Sequence, residues 1–304
     1  MFNNKKINAV SYGEVLFDVF GEEKKIGGAP LNLALRVASY GFPVAMISAI
    51  GNDEDGKIII NYSKENNLET SGIIISEENE TGIVQVLLNE RGSATYDIRF
   101  PSAWDFITID DKVIDLVKKA NVFFYGSLVC RNDVSQKTLF SILDSNDKMF
   151  KVFDVNLRKP FYNIEILEKL MDKADFIKFN DEEILEIASG LDFISENLED
   201  NISFISKKTN TPCICVTLGK HGSILLWKGQ MYRNSGYPVK VVDTVGAGDS
   251  FLASLIINLI SDKDPNEALD FASAIGALVA SHSGANPKLE TDDVEAFMAK
   301  VLRS

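Results

Sequence analysis

The 304-residue sequence has few cysteines, few histidines, no surplus of basic charge and no long apolar run. Its three cysteines, Cys130, Cys213 and Cys215, are an odd number that builds no disulfide framework. They are expected as reduced thiols of a cytoplasmic protein. His221 and His282 are the only histidines, too few for a His-rich zinc site and little material for a Ser-His or Cys-His nucleophile. Lys and Arg number 31 against 44 Asp and Glu, a net charge of −13. That balance argues against nucleic acid or an anionic membrane as the main partner, although it says nothing about one pocket. The most apolar run, Phe251 to Ile260, lies between Asp249 and Asp262 and is too short to span a bilayer. Met1 to Val10 has Lys5 and Lys6 but none of the apolar stretch of a secretory signal.

What is present is an ordinary globular composition, 45% hydrophobic and 25% charged. Runs rich in β-branched and aromatic residues (Val122–Tyr125, Val152–Val155, Phe176–Phe179, Ile214–Thr217) read as buried strands. Stretches of helical period separate them: Lys112–Lys119, Val134–Leu143, Ile164–Lys173 and Asp181–Ala188. Such alternation predicts a mainly parallel sheet with helices on both faces, binding ligands at the carboxyl ends of its strands. From Thr81 to Phe100 the rhythm changes to a hairpin, turning at Asn89-Glu90-Arg91-Gly92. With a strand over Val10–Phe20 it suggests a small antiparallel sheet inserted as a lid, so 1–304 is expected as one interleaved domain with lid segments near 10–25 and 81–105.

Gly51 to Ile58 nearly matches a phosphate-binding loop but lacks the final hydroxyl and carries Asp53, Glu54 and Asp55, so it reads as a solvated turn opening a helix. Asp243-Thr244-Val245-Gly246-Ala247-Gly248-Asp249-Ser250 follows a predicted strand, Val239–Val242, and precedes an apolar helix. Small residues there let backbone N–H groups converge on an anion, and Asp249 is placed as a general base beside it. A helix capped by Asp249 after a glycine turn explains the same residues equally well. Gly27-Gly28-Ala29-Pro30-Leu31-Asn32 opens another helix, and only Asn32 is unexplained by packing. Asp154, Asn156 and Arg158 alternate at a strand end, where an arginine favours phosphate. Asn180 and Glu183 have the spacing of a capping box, which is favoured over magnesium positioning. Thr217 to Gly222 reads by default as a hairpin turn, with glycines that could admit a nucleotide.

Together and in this order, these motifs resemble the PfkB family of ribokinase-like carbohydrate kinases. Gly27 to Ala34 with Gly41 and Gly51 matches its first signature, and Asp243 to Asp249 its second. The resemblance implies a ribokinase-like three-layer α/β fold with a small antiparallel β-sheet lid, and ATP-dependent phosphorylation of a sugar hydroxyl. Asp249 would be the general base, the amides of Gly246, Ala247 and Gly248 the anion hole, and Arg158 a phosphate neutraliser. Asp18, Gly28, Asn32, Arg99 and Asn156 would bind the sugar, and Thr217, Gly219, Gly222 and Gly248 the nucleotide. Asn180 and Glu183 would organise Mg2+ through waters, while Asp243, Val245 and Gly284 border a site for K+. Gly13 to Asp18, Tyr96 to Phe100 and Ala103-Trp104-Asp105 resemble fructokinases, with Trp104 assigned to core packing. Fructose is therefore the first substrate expected, ahead of 2-keto-3-deoxygluconate and ribose. An inactive nucleotide- or sugar-binding scaffold is the alternative of another class, and a homodimer through the lid sheet is the expected assembly.

Overall fold

The computed structural model describes residues 7–88 and 94–301. The chain divides into two compact units, Ile7–Met149 and a unit built from Phe150 onward.

The first unit contains β1 (Ala9–Tyr12), β2 (Leu16–Phe20), β3 (Glu23–Gly27), α1 (Ala29–Ser39), β4 (Val44–Gly51), α2 (Glu54–Glu65) and β5 (Ile73–Ser76). It continues through β6 (Gly82–Leu88), β7 (Ala94–Ile98), α3 (Asp111–Lys119), β8 (Val122–Gly126) and α4 (Asp133–Ser145). Strands β8, β1, β4 and β5 pair in parallel in that order. Every residue of β4 is buried, as a strand must be when both faces of its sheet are covered. Tyr12, Met46, Ile47, Phe123 and Phe124 are among the largest fully buried side chains of this core.

The small sheet runs β3-β2-β6-β7. It is antiparallel at β2–β3 and β6–β7, and its central pair, β2–β6, is parallel. The small sheet is thus mainly antiparallel, as expected, with one parallel pair at its centre. The chain between β2 and β6 includes α1, β4, α2 and β5, the kind of long crossover a parallel pair requires. The expected strand over Val10–Phe20 is instead two strands in two sheets. The backbone breaks at Gly13, which takes φ 147°, and a Cβ there would press on the Pro30 ring. The hairpin turn at Asn89–Gly92 lies outside the described residues.

The second unit contains β9 (Phe150–Asp154), α5 (Ile164–Asp172), β10 (Phe176–Asn180), α6 (Asp181–Gly190), α7 (Leu198–Thr209) and β11 (Cys213–Thr217). After them come β12 (Ser223–Trp227), β13 (Gln230–Asn234), α8 (Ala247–Ile260), α9 (Pro265–Ala280) and α10 (Thr291–Val301). Strands β9, β10 and β11 are parallel, and β12 and β13 add antiparallel strands beyond them. The turn at Thr217–Gly222 is thus the β11–β12 connection, as its default reading had it.

The strand expected over Val239–Val242 does not form. Pro238 stands immediately before the segment, Val241 and Val242 are exposed, and the Val242 amide donates to the Ala280 carbonyl instead of a sheet neighbour. The apolar run Phe251–Ile260 is the buried body of α8. Among the described residues, no helix is long and apolar enough to cross a membrane.

Candidate active site

Helix α8 opens at the glycine turn that the sequence marks as an anion hole. Its N-cap is Gly246 at φ 75°, and no side chain caps its first turn. Asp249 therefore does not serve as the N-cap; it is the third residue of the helix, within the first turn, whose amides are placed to face an anion. The Ala247 amide also makes a long bond, 3.3 Å, to the Thr244 carbonyl. Gly246 cannot be replaced without strain, because a Cβ would come within 2.6 Å of Ala285 Cβ and carbonyl oxygen.

Asp243 ties this loop to the next. Its carboxylate accepts from the Val245 amide at 3.0 Å and the Gly284 amide at 3.1 Å. Asp243, Val245 and Gly284, the residues expected around a monovalent cation, are thus brought together.

A cavity of about 590 Å³ opens against the first turn of α8. Thr217, Gly219, Gly222 and Gly248 all line it, with Phe251 and Ala277 supplying apolar walls. Gly219 and Gly222 take φ 56° and 90°. A Cβ on Gly222 would strike the Asn234 carbonyl, so the two loops at the rim touch backbone to backbone. One further group fixes this rim and has no signal in the sequence. Asp270 on α9 accepts from Asn234 Nδ2 and Tyr237 Oη, both at 2.7 Å, while Asn234 Oδ1 accepts from the Gly236 amide. Burial and the Asp270 carboxylate push the Tyr237 phenol well above its ordinary range.

At the strand ends, Asn180 and Glu183 complete a capping box: Asn180 Oδ1 accepts from the Glu183 amide and Glu183 Oε2 from the Asn180 amide. Glu183 Oε1 also accepts from the Leu157 amide at 3.0 Å, so one buried carboxylate holds two strand-end loops. No cluster of three or more metal-ligating side chains occurs among the described residues. One carboxylate and one carboxamide without a ligand cluster would fit a magnesium ion carried mainly by phosphates and waters. Asn156 adopts φ 41°, a left-handed conformation that asparagine tolerates, and Arg158 Nη1 donates to the Leu157 carbonyl at 2.9 Å.

Lys178, which the sequence reading passed over, lies in the same group. It is in register with Asp154 on β9 and Cys215 on β11. Its ammonium donates to Asp154 Oδ1 at 3.0 Å, and a Cβ placed on Gly248 would stand 3.5 Å from Nζ. Burial pulls its pKa down, but Asp154, Glu183 and Asp249 outweigh burial and raise it.

In the other unit, Gly28 is the N-cap of α1 at φ 107°, and Asn32 is buried one turn further on. Asp18 on β2 lies against Gly27, where a Cβ would collide with its carboxylate. Asp18, Gly28 and Asn32 thus gather at the start of α1. Arg99 is placed differently: its guanidinium pairs with Glu80 at the surface. Trp104 is fully buried against Gly82, in agreement with its assignment to core packing. Arg131 lies over its ring and pairs with the buried Asp105.

The sequence pattern of the pfkB family carbohydrate kinases matches residues 3–292. Fructokinase-1 of Oryza sativa subsp. japonica is 29% identical over 310 residues, covering 93% of this chain and 94% of that relative. The crystal structure of a sugar kinase from Pyrococcus horikoshii superposes with a TM-score of 0.83 at 27% identity, covering 97% of this chain and 99% of that one. A fructokinase double mutant from Vibrio cholerae, with fructose, ADP and potassium bound, shares the fold at TM-score 0.84 and 23% identity, covering 96% and 98%. With its ribokinase-like fold and a family match spanning nearly its whole length, the chain belongs to the pfkB family of carbohydrate kinases and is a phosphotransferase.

Proposed function

We propose that the protein is an ATP-dependent fructokinase that makes fructose 6-phosphate. The observation that carries this reading is the first turn of α8, capped by no side chain, facing the nucleotide-sized cavity with Asp249 in that same turn. The fructokinase-1 likeness and the fructose and ADP bound in the Vibrio cholerae enzyme support the choice of substrate.

ATP occupies the cavity, with Thr217, Gly219 and Gly222 along the nucleotide and its terminal phosphates on the amides of Gly246, Ala247 and Gly248. Asp18, Gly28, Asn32 and Asn156 orient the sugar. Arg99 joins them only after leaving Glu80. The acceptor oxygen forms a bond to the γ-phosphorus as its proton passes to the Asp249 carboxylate. The bond from phosphorus to the β–γ bridging oxygen breaks, its electron pair staying on ADP. Positioning and charge neutralisation do nearly all the work in such a transfer, and amides, Arg158 and one base are groups suited to supply them. Asn180 and Glu183 would hold the water shell of a magnesium ion, which when bound would neutralise charge on the phosphates. Asp243, Val245 and Gly284 hold a potassium ion beside the anion hole. The small sheet is the lid of one cytoplasmic kinase domain and the surface through which two copies pair.

An acceptor panel tests the reading. ADP release is measured with fructose, ribose and 2-keto-3-deoxygluconate, each with Mg2+ and with or without K+. Fructose should give the highest kcat/KM, and K+ should stimulate. A preference for either other sugar replaces the fructose assignment, and turnover of none restores the inactive scaffold.

A further inference from the structure

Lys178 is a charged side chain where folding alone has no use for one. It lies within a strand whose neighbours Ile177 and Phe179 are buried, and its ammonium donates to Asp154, which is buried too. Withdrawing two charges from water costs several kcal/mol per ion, and a well-packed apolar pair is often as stable. A pair retained at the ligand-binding edge of a parallel sheet, against a helix N-terminus, therefore points to the chemistry next to it.

Strand alternation directs the choice. Lys178 and Asn180 are two apart on β10, so they share a face, and their register partners Cys215 and Thr217 on β11 do likewise. The face that carries the strand-end groups of the site thus also carries an ammonium, one residue pair deeper. That ammonium stands against Gly248, beside Asp249.

We propose that Lys178 is a positioning residue for phosphoryl transfer. Fixed by Asp154, its ammonium holds the Asp249 carboxylate in place and lays a permanent positive charge beneath the first-turn amides of α8. Negative charge gathers on the equatorial oxygens as the phosphoryl group passes from ADP to the sugar oxygen. A fixed charge held in place beside the transferring group stabilises that distribution more than it stabilises bound ATP. The proposal rests on the kinase reading, since it assigns Lys178 to the same transfer.

The decisive variant pairs Lys178→Met with Asp154→Asn, removing both charges with little change of shape. Lys178→Met alone leaves Asp154 buried without its partner and is the less stable control. ADP alone and ADP with aluminium fluoride, a mimic of the phosphoryl group in flight, are titrated calorimetrically with Mg2+ and fructose present. In the double variant ADP should bind within about threefold of wild type, while the tightening given by aluminium fluoride falls about 100-fold and kcat falls with it. A double variant that melts like wild type and keeps both the tightening and kcat within threefold would overturn the proposal and leave a purely structural pair. The failure of the kinase reading looks different. Wild-type protein would then turn over no sugar and gain no tightening from aluminium fluoride, and the role given to Lys178 would fall with it.

Discussion

Gly246 shows how much of the site depends on single atoms. Its φ of 75° and the 2.6 Å that a Cβ would leave to Ala285 mean that any side chain must move the loop that aims the first turn of α8. Gly246→Ala should lower stability by about 1–3 kcal/mol and reduce kcat more than it raises KM for ATP, because the amides it displaces act mainly on the transition state. Thermal unfolding and steady-state kinetics on one preparation check both parts. Asp270 offers a contrast: Asp270→Ala releases Asn234 and Tyr237 at the cavity rim and should raise KM for ATP, about tenfold for roughly 1.4 kcal/mol of lost order, with kcat less affected. Neither Asp270 nor Lys178 was legible in the sequence. A lysine in Phe176-Ile177-Lys178-Phe179 reads as one polar residue of a strand, and only α8, some seventy residues later, packs a helix end against it. Asp249 was legible as a residue but not in its role, since base and cap call for the same side chain at the same place. With Gly246 as the N-cap of α8, the capping role is excluded.

Among the elements, α2 carries a prediction in pH. Asp53 caps it by accepting from the Gly56 amide at 2.8 Å, and it also accepts from the amide and hydroxyl of Thr81, at 2.8 and 2.6 Å. Burial alone would raise its pKa, but the Thr81 and Gly56 hydrogen bonds prevail and hold it below the ordinary 3.8. Its stabilising contribution is therefore complete above the ordinary value and is lost as pH falls through the lowered folded value. Asp53→Ala should cost about 1 kcal/mol at pH 7, and the gap from wild type should narrow below pH 3. Thermal unfolding of both proteins at the two pH values reads it. A gap that stays constant or widens in acid would contradict the capping role. The turn that imitated a phosphate loop is thus a helix opening, as its three acidic residues indicated. Helices and buried parallel strands were the legible elements, because their periods are local. The break at Gly13, the parallel β2–β6 pair and the missing strand over Val239–Val242 were not, because each depends on which distant backbone offers or withholds a partner.

For the whole molecule, the net charge of −13 and the proposed anionic substrate are compatible, because the groups that would hold ATP are backbone amides, a helix end, Arg158 and Lys178 rather than a basic surface. The paucity of cysteine agrees with the interior: Cys213 and Cys215 are free thiols that burial pushes up to about 11 and about 12, unreactive at neutral pH. The family was legible because its two signatures are long, start more than two hundred residues apart and stand in the right order. The sugar was less so, since it rests on short segments of the lid region. The central claim, that Asp249 takes the proton of a fructose hydroxyl as the phosphoryl group arrives, is tested most directly by single-turnover transfer of labelled γ-phosphate to fructose by wild type and Asp249→Asn. Wild type should label fructose 6-phosphate, and the variant should bind ATP within about threefold of wild type yet transfer at least 1,000-fold more slowly. An Asp249→Asn protein that labels fructose at a rate close to wild type would contradict it.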